Sequence, residues 1–210
     1  MDATIPRILA VCTGNICRSP AIQLLLTARV GGVATIASAG THAIVGAPVA
    51  GPMAALLDDA GAPTNGFAAR QITERLIVGA DLILTASAGH RSSVVSLAPR
   101  AMRRCFTLLE FARAVKSFRP GPERTPADRV RALAAHAALA RPRMRLTEAD
   151  TDIPDPYGEP QEVYDQAFEM ILGAVDVIAP VLRVQPPAGE PRRAAGPSTR
   201  VGRPMRAWGT

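Results

Sequence analysis

Ten residues, VCTGNICRSP from Val11 to Pro20, bring two thiols, an amide, a guanidinium and two hydroxyls together directly behind the apolar stretch Ile8-Leu9-Ala10. A turn of this composition can wrap an anion. Backbone N–H groups of Thr13, Gly14, Asn15, Ile16, Cys17 and Arg18 would converge on its centre, Gly14 and Asn15 tolerating the left-handed conformations that such a nest requires. A helix starting near Ser19 would add its positive end. Arg18 supplies a planar fork that matches two oxygens of a phosphate or sulfate better than a lysine's point charge. Cys12 sits at the base of that cradle, where the same field favours thiolate over thiol. The chemistry open to it is in-line attack on a phosphate monoester, giving a phosphocysteine that water then hydrolyses. Ser19 can hydrogen-bond the sulfur as it leaves. No metal or cofactor is needed, and Cys12 and Cys17 have neither zinc-knuckle spacing nor a second ligand pair.

A departing alkoxide or phenoxide needs a proton. The segment TDIPDPYG, residues 151–158, offers Asp155 between Pro154 and Pro156, whose restricted backbone aims the carboxyl at small entropic cost. Asp155 would be the acid in the first step and the base in the water step. Asp150 and Asp152 are expected to be solvated, and His90 and His136 to lie on the surface.

These groups must be held by elements, and apolar runs of strand length alternate with segments of helical period. Strands are expected at 7–11, 33–38, 81–86 and 104–108. Helices are expected at 20–29 with Ser19 as cap, at 52–60, 71–78 and 90–98, and at 160–182, where Val163, Ala167, Met170, Ile171, Ala174 and Ile178 share one stripe. Such alternation implies a parallel sheet covered on both sides, with ligands beyond the carboxyl ends of its strands. Between Phe118 and Leu146 four prolines bracket an alanine-rich helix with little bulky apolar surface, read as a helical excursion on the outside of the molecule.

The chain has 210 residues and 48% hydrophobic content, enough for one core. Its net charge of +6 invites a nucleic-acid reading. However, residues 185–210 hold five arginines and one acid, so +4 of that charge lies in a Pro- and Gly-rich segment without apolar periodicity. That tail is read as disordered, with an acidic partner as one possible role, and the nearly balanced body as not binding nucleic acid. No apolar run is long enough to span a bilayer, and the N-terminus lacks signal-peptide features, so a cytoplasmic location is expected.

Cys12-Thr13-Gly14-Asn15-Ile16-Cys17-Arg18-Ser19-Pro20 resembles the phosphate loop of the low-molecular-weight protein tyrosine phosphatases; Ser38-Ala39-Gly40-Thr41 and Asp155-Pro156-Tyr157 are similar to that family's other markers, in the same order. The resemblance runs from about Pro6 to Leu182. It implies a single-domain α/β fold of flavodoxin-like type, with a four-stranded parallel sheet and helices on both faces, over residues 1–184, interrupted by the helical insertion 119–146. It further implies Cys12 as nucleophile, Arg18 as phosphate clamp, Asp155 as general acid, and Asn15 and Ser19 as supports. Tyr157 is placed to stack on an aryl substrate. Two departures bear on the substrate: Gly158 follows Tyr157 where many members carry a second tyrosine, and Thr41-His42-Ala43-Ile44 stands where many have a large aromatic, leaving His42 at the rim.

The implied substrates are phosphotyrosine proteins or small aryl phosphates. Cys17 is expected to form a reversible disulfide with Cys12 that guards the nucleophile, packing being the alternative, and Cys105 to be a core residue. Two other functions share this loop: arsenate reduction with a small-thiol cofactor, since Cys105 has no paired cysteine, and a non-catalytic phosphate-binding or redox-sensing module.

Overall fold

Along β1 (Arg7–Cys12) the side chains alternate between two apolar faces, Ile8 and Ala10 on one and Leu9 and Val11 on the other, none more than 1% exposed. A strand buried on both faces belongs inside a parallel sheet. In the computed structural model, which describes residues 5–123 and 125–183, β1 is flanked by β2 (Thr35–Gly40) and β3 (Leu82–Thr85), and β4 (Cys105–Thr107) closes the far edge. All three pairings are parallel, in the order β2-β1-β3-β4. The tail expected from residue 185 lies outside the described residues.

One face carries α1 (Arg18–Val30), α2 (Gly51–Asp59), α5 (Leu108–Val115), α6 (Pro126–Ala140) and α8 (Gln161–Leu182); Ile22, Phe111, Leu133 and Ile171 are completely buried there against Ile8, Leu84 and Phe106. The other carries α3 (Glu74–Val78) and α4 (Ala88–Leu97), followed by a 3-10 turn over Pro99–Arg104. Ile77, Val94 and Ala101 meet Leu9, Val11 and Ile83 on this side. A short α7 (Glu148–Thr151) leads into the loop that holds Asp155. The expected fold class therefore holds.

Three expectations change. The first helix begins at Arg18 rather than Pro20, with Cys17 as its N-cap and no side-chain cap, because the Ser19 hydroxyl is turned to other partners. A helix not read from the sequence, α5, follows β4 immediately. Thr107 accepts from the Glu110 N–H and Glu110 accepts from the Thr107 N–H, a capping box that the spacing T-x-x-E announces. Finally, α6 is not an excursion on the surface: Val130, Leu133 and Ala137 are completely buried in the main core. Alanines let α6 approach α5 closely, so little bulky surface is needed to seat it. Arg129, 4% exposed, ties it to α8 by donating to the carbonyls of Val181 (3.2 Å) and Arg183 (3.3 Å).

Candidate active site

The turn from Cys12 into α1 closes around a cavity of about 200 Å³ at the carboxyl end of β1. Cys12, Thr13, Gly14, Ile16, Cys17 and Arg18 form its base, and Asp155, Tyr157, His42 and Ile44 its walls. Every residue predicted for the site except Asn15 and Ser19 lines it, and those two lie just beneath. Cys12 is 2% exposed, at the bottom of a well.

Asn15 is the only non-glycine residue with positive φ (56°) among the described residues. Its amide fixes this conformation by donating to Ser19 Oγ (2.9 Å) and Ser38 Oγ (2.8 Å), while its Oδ1 accepts from the Arg70 N–H (2.9 Å). Ser38 passes its own proton to Gln23 Oε1 (2.6 Å). Ser19 therefore accepts from Asn15, with its Oγ 2.9 Å from Cys12 Sγ and 3.5 Å from the Ala39 carbonyl.

The loop's outward carbonyls are satisfied from the segment after β2. Thr41, His42 and Ile44 donate their N–H groups to the carbonyls of Cys12 (2.9 Å), Thr13 (3.0 Å) and Gly14 (3.0 Å). With carbonyls turned outward, the loop's amides are left for a ligand. This is also why Gly40 is a glycine: a Cβ there would collide with the Thr13 carbonyl and press on Ala43.

Arg18 is 5% exposed, donates to the Ile153 carbonyl (3.3 Å) and is ion-paired with Asp155, while its Nε is buried without a hydrogen-bond partner. A buried donor left over in an anion-shaped well fits an oxyanion. Asp155, with 53% of its side chain exposed, also accepts from the Tyr157 N–H (3.3 Å). Tyr157 is 61% exposed and Ile44 46%, so both present apolar surface at the mouth.

Two residues correct the sequence reading. Asp152 is half-buried rather than simply solvated; it accepts from the Ala88 N–H (2.8 Å) and Thr151 Oγ1 (2.9 Å), pinning the acid loop to the start of α4. His90 is not a surface residue. It is 9% exposed, its Nε2 is 2.9 Å from Thr13 Oγ1 and its Nδ1 2.6 Å from Ser87 Oγ. Burial, and then the charge of Arg18, pull its pKa down to about 4, so the ring is neutral at pH 7. No local motif marks His90; only the pairing of β1 with β3 brings it to the loop. His136 is half-buried between Ser117 and the Ala114 carbonyl, away from the pocket.

The three cysteines are free thiols. Burial, with the charges of Cys12 and Asp155 adding to it, pushes Cys17 up to about 12, and its thiol hydrogen-bonds Tyr164 of α8. Burial likewise pushes Cys105 up to about 12; it is fully enclosed in β4, as expected of a core residue.

A cysteine and arginine enclosed by one amide-lined turn, with an aspartate arriving from a distant loop, define a cysteine-dependent phosphatase scaffold. The family model for low molecular weight phosphotyrosine protein phosphatase matches residues 7–119, and the chain belongs to that family. It is similar to the low molecular weight protein-tyrosine-phosphatase Etp of Escherichia coli, with 40% identity over 92 residues, 44% of this chain and 62% of that protein. The match thus spans less than two thirds of that relative's length. Similarity to the probable low molecular weight protein-tyrosine-phosphatase EpsP of Ralstonia nicotianae is more extended, 29% identity over 180 residues, covering 85% of this chain and 97% of that one. Among solved structures, the YwlE arginine phosphatase from Geobacillus stearothermophilus superposes with a TM-score of 0.63 at 28% identity, covering 84% of this chain and 92% of that chain.

Proposed function

We propose that this protein is a metal-independent phosphotyrosine phosphatase that works through a phosphocysteine on Cys12. The buried, unpartnered Arg18 Nε beside a thiol 2.9 Å from the Ser19 hydroxyl is the observation that carries this reading. The loop amides and Arg18 hold three phosphate oxygens, and Cys12 attacks the phosphorus from the floor of the well. The P–S bond forms as the bond to the ester oxygen breaks on the opposite side. Asp155, displaced from Arg18 by the phosphate, delivers a proton to that oxygen. Water then attacks the phosphocysteine with Asp155 as base, releasing phosphate while Ser19 stabilises the departing sulfur. Charge is neutralised by amides and a guanidinium, the task a metal ion performs elsewhere.

Substrate choice follows from depth and from the walls. Cys12 lies at the bottom of the pocket, which suits a long side chain over phosphoserine. Ile16, Ile44 and Tyr157 present apolar surface to a ring, whereas Asp155 is the one carboxylate among the lining residues that a substrate guanidinium could pair with, and it is assigned to protonating the leaving group. The test is turnover of phosphotyrosine, phosphoserine and phosphoarginine peptides of one sequence with a chelator present. Fastest release from phosphotyrosine supports the reading; preferred release from phosphoarginine would reassign the substrate class, and arsenate-dependent thiol consumption without phosphate release would reassign the reaction.

A further inference from the structure

At the end of the sheet remote from Cys12, where β3 and β4 begin, a groove of about 1390 Å³ separates α6 from α3 and the 3-10 turn Pro99–Arg104. It is amphipathic. Val78, Met102 and Leu139 stand on its walls 60%, 57% and 75% exposed, over a floor that includes Ala134 and Ala138. Five arginines line it against two acids, Glu74 and Asp81.

The five differ in what they are doing. Arg141 is committed to the buried carboxylate of Glu110, and Arg131 to Asp128 (2.8 Å). Arg100, Arg103 and Arg104 have no ion-pair partner among the described residues; Arg104 donates only to the carbonyls of Arg100 (3.1 Å) and Ile77 (3.4 Å), and its Nε is buried without a partner. Asp81, for its part, is occupied by the Arg7 N–H (2.8 Å). The groove thus offers unused positive charge beside unused apolar surface.

We propose that this groove docks an acidic polypeptide segment of a partner protein, its carboxylates on Arg100, Arg103 and Arg104 and its apolar side chains over Met102 and Leu139. The chain's own tail is the wrong occupant, since its five arginines against one acid would be repelled. Nucleic acid fits less well too. A phosphodiester backbone wants a continuous cationic track, and here exposed apolar side chains and two acids interrupt it, the mixture of apolar centre and charged rim that suits a protein segment. The length of β3 alone, four residues at about 3.3 Å each, puts the groove roughly 13 Å or more from the catalytic well. A docked partner therefore leaves the well open, and the groove acts as a recruitment surface.

The test is fluorescence anisotropy of the full chain with a short labelled peptide of glutamates flanking leucines, compared with the same peptide carrying lysines and with a labelled DNA duplex. The glutamate peptide is expected to bind saturably and the lysine peptide not. The double variant Arg100→Glu/Arg103→Glu is expected to weaken the glutamate peptide by about tenfold or more, because charge reversal turns complementarity into repulsion. Leu139→Asp is expected to weaken it as well. Thermal melting and turnover of p-nitrophenyl phosphate are expected to be unchanged in both variants, so that a failure of the catalytic reading would be visible separately. Absence of glutamate-peptide binding, or binding untouched by the Arg100→Glu/Arg103→Glu change, would overturn the proposal. Tighter binding of the duplex, lost on the same reversal, would replace the polypeptide with nucleic acid.

Discussion

In the proposed reaction Ser19 steadies the sulfur: Asn15 donates to its oxygen, and that oxygen lies 2.9 Å from Cys12 Sγ. Ser19→Ala is expected to slow breakdown of the phosphocysteine more than its formation, read in rapid mixing as a burst of aryl alcohol followed by a slower steady state. Asp155→Ala removes the proton donor and is expected to cost about a hundred- to ten-thousandfold in kcat for esters of poor leaving groups, and far less for p-nitrophenyl phosphate. His90 gives a pH test. Its pKa falls from 6.5 to about 4 on folding, so the unfolded chain binds the extra proton between those values and stability drops as pH falls through that window. Denaturant unfolding at pH 7, 5.5 and 4.5 checks this, with His90→Gln expected to flatten the fall. The proposed roles of Cys12 and Arg18 were readable because one short turn carries both, and that of Asp155 because two prolines fix its loop. His90 and Asp152 were not, since their roles arise from strand pairing and loop docking that no local spacing encodes.

At the level of elements, the clearest strands and α8 were readable from periodicity, while α5 and α6 were misjudged for opposite reasons. The T-x-x-E signal at Thr107–Glu110 was present, but the apolar residues running from Cys105 to Leu109 blurred strand into helix. In α6 half of the buried stripe is alanine, which carries little hydropathy contrast although Val130 and Leu133 seat it in the core. Leu133→Ala is expected to cost about 2–5 kcal/mol in chemical denaturation, as a buried leucine does. A helix lying on the surface would lose only about 0.5 kcal/mol. Glu110, 2% exposed, couples the same region, capping α5 while pairing with Arg141 and with Arg91 (3.3 Å). Removing one partner of a buried charge network leaves the others uncompensated, and Glu110→Ala is expected to lower Tm with catalysis at Cys12 retained in the folded fraction.

Across the whole molecule, the parallel sheet separates two kinds of surface. Its carboxyl end gathers the phosphate loop, the Gly40 segment and the aspartate loop. Its amino end, between β3, β4 and α6, is left with the arginine-bearing groove. The parallel sheet covered on both faces followed from strand-helix alternation, and its four strands from the family resemblance. The groove was not foreseeable, since it depends on where α6 lands. The proposed catalysis depends on covalent transfer to one sulfur. Mixing the full chain with p-nitrophenyl phosphate in the presence of a chelator, quenching in acid within one turnover and mapping the phosphoryl group by mass spectrometry tests that most directly. The phosphoryl group is expected on Cys12 and absent from Cys12→Ala; full turnover with no phosphorylated cysteine, or undiminished turnover by Cys12→Ala, would contradict it.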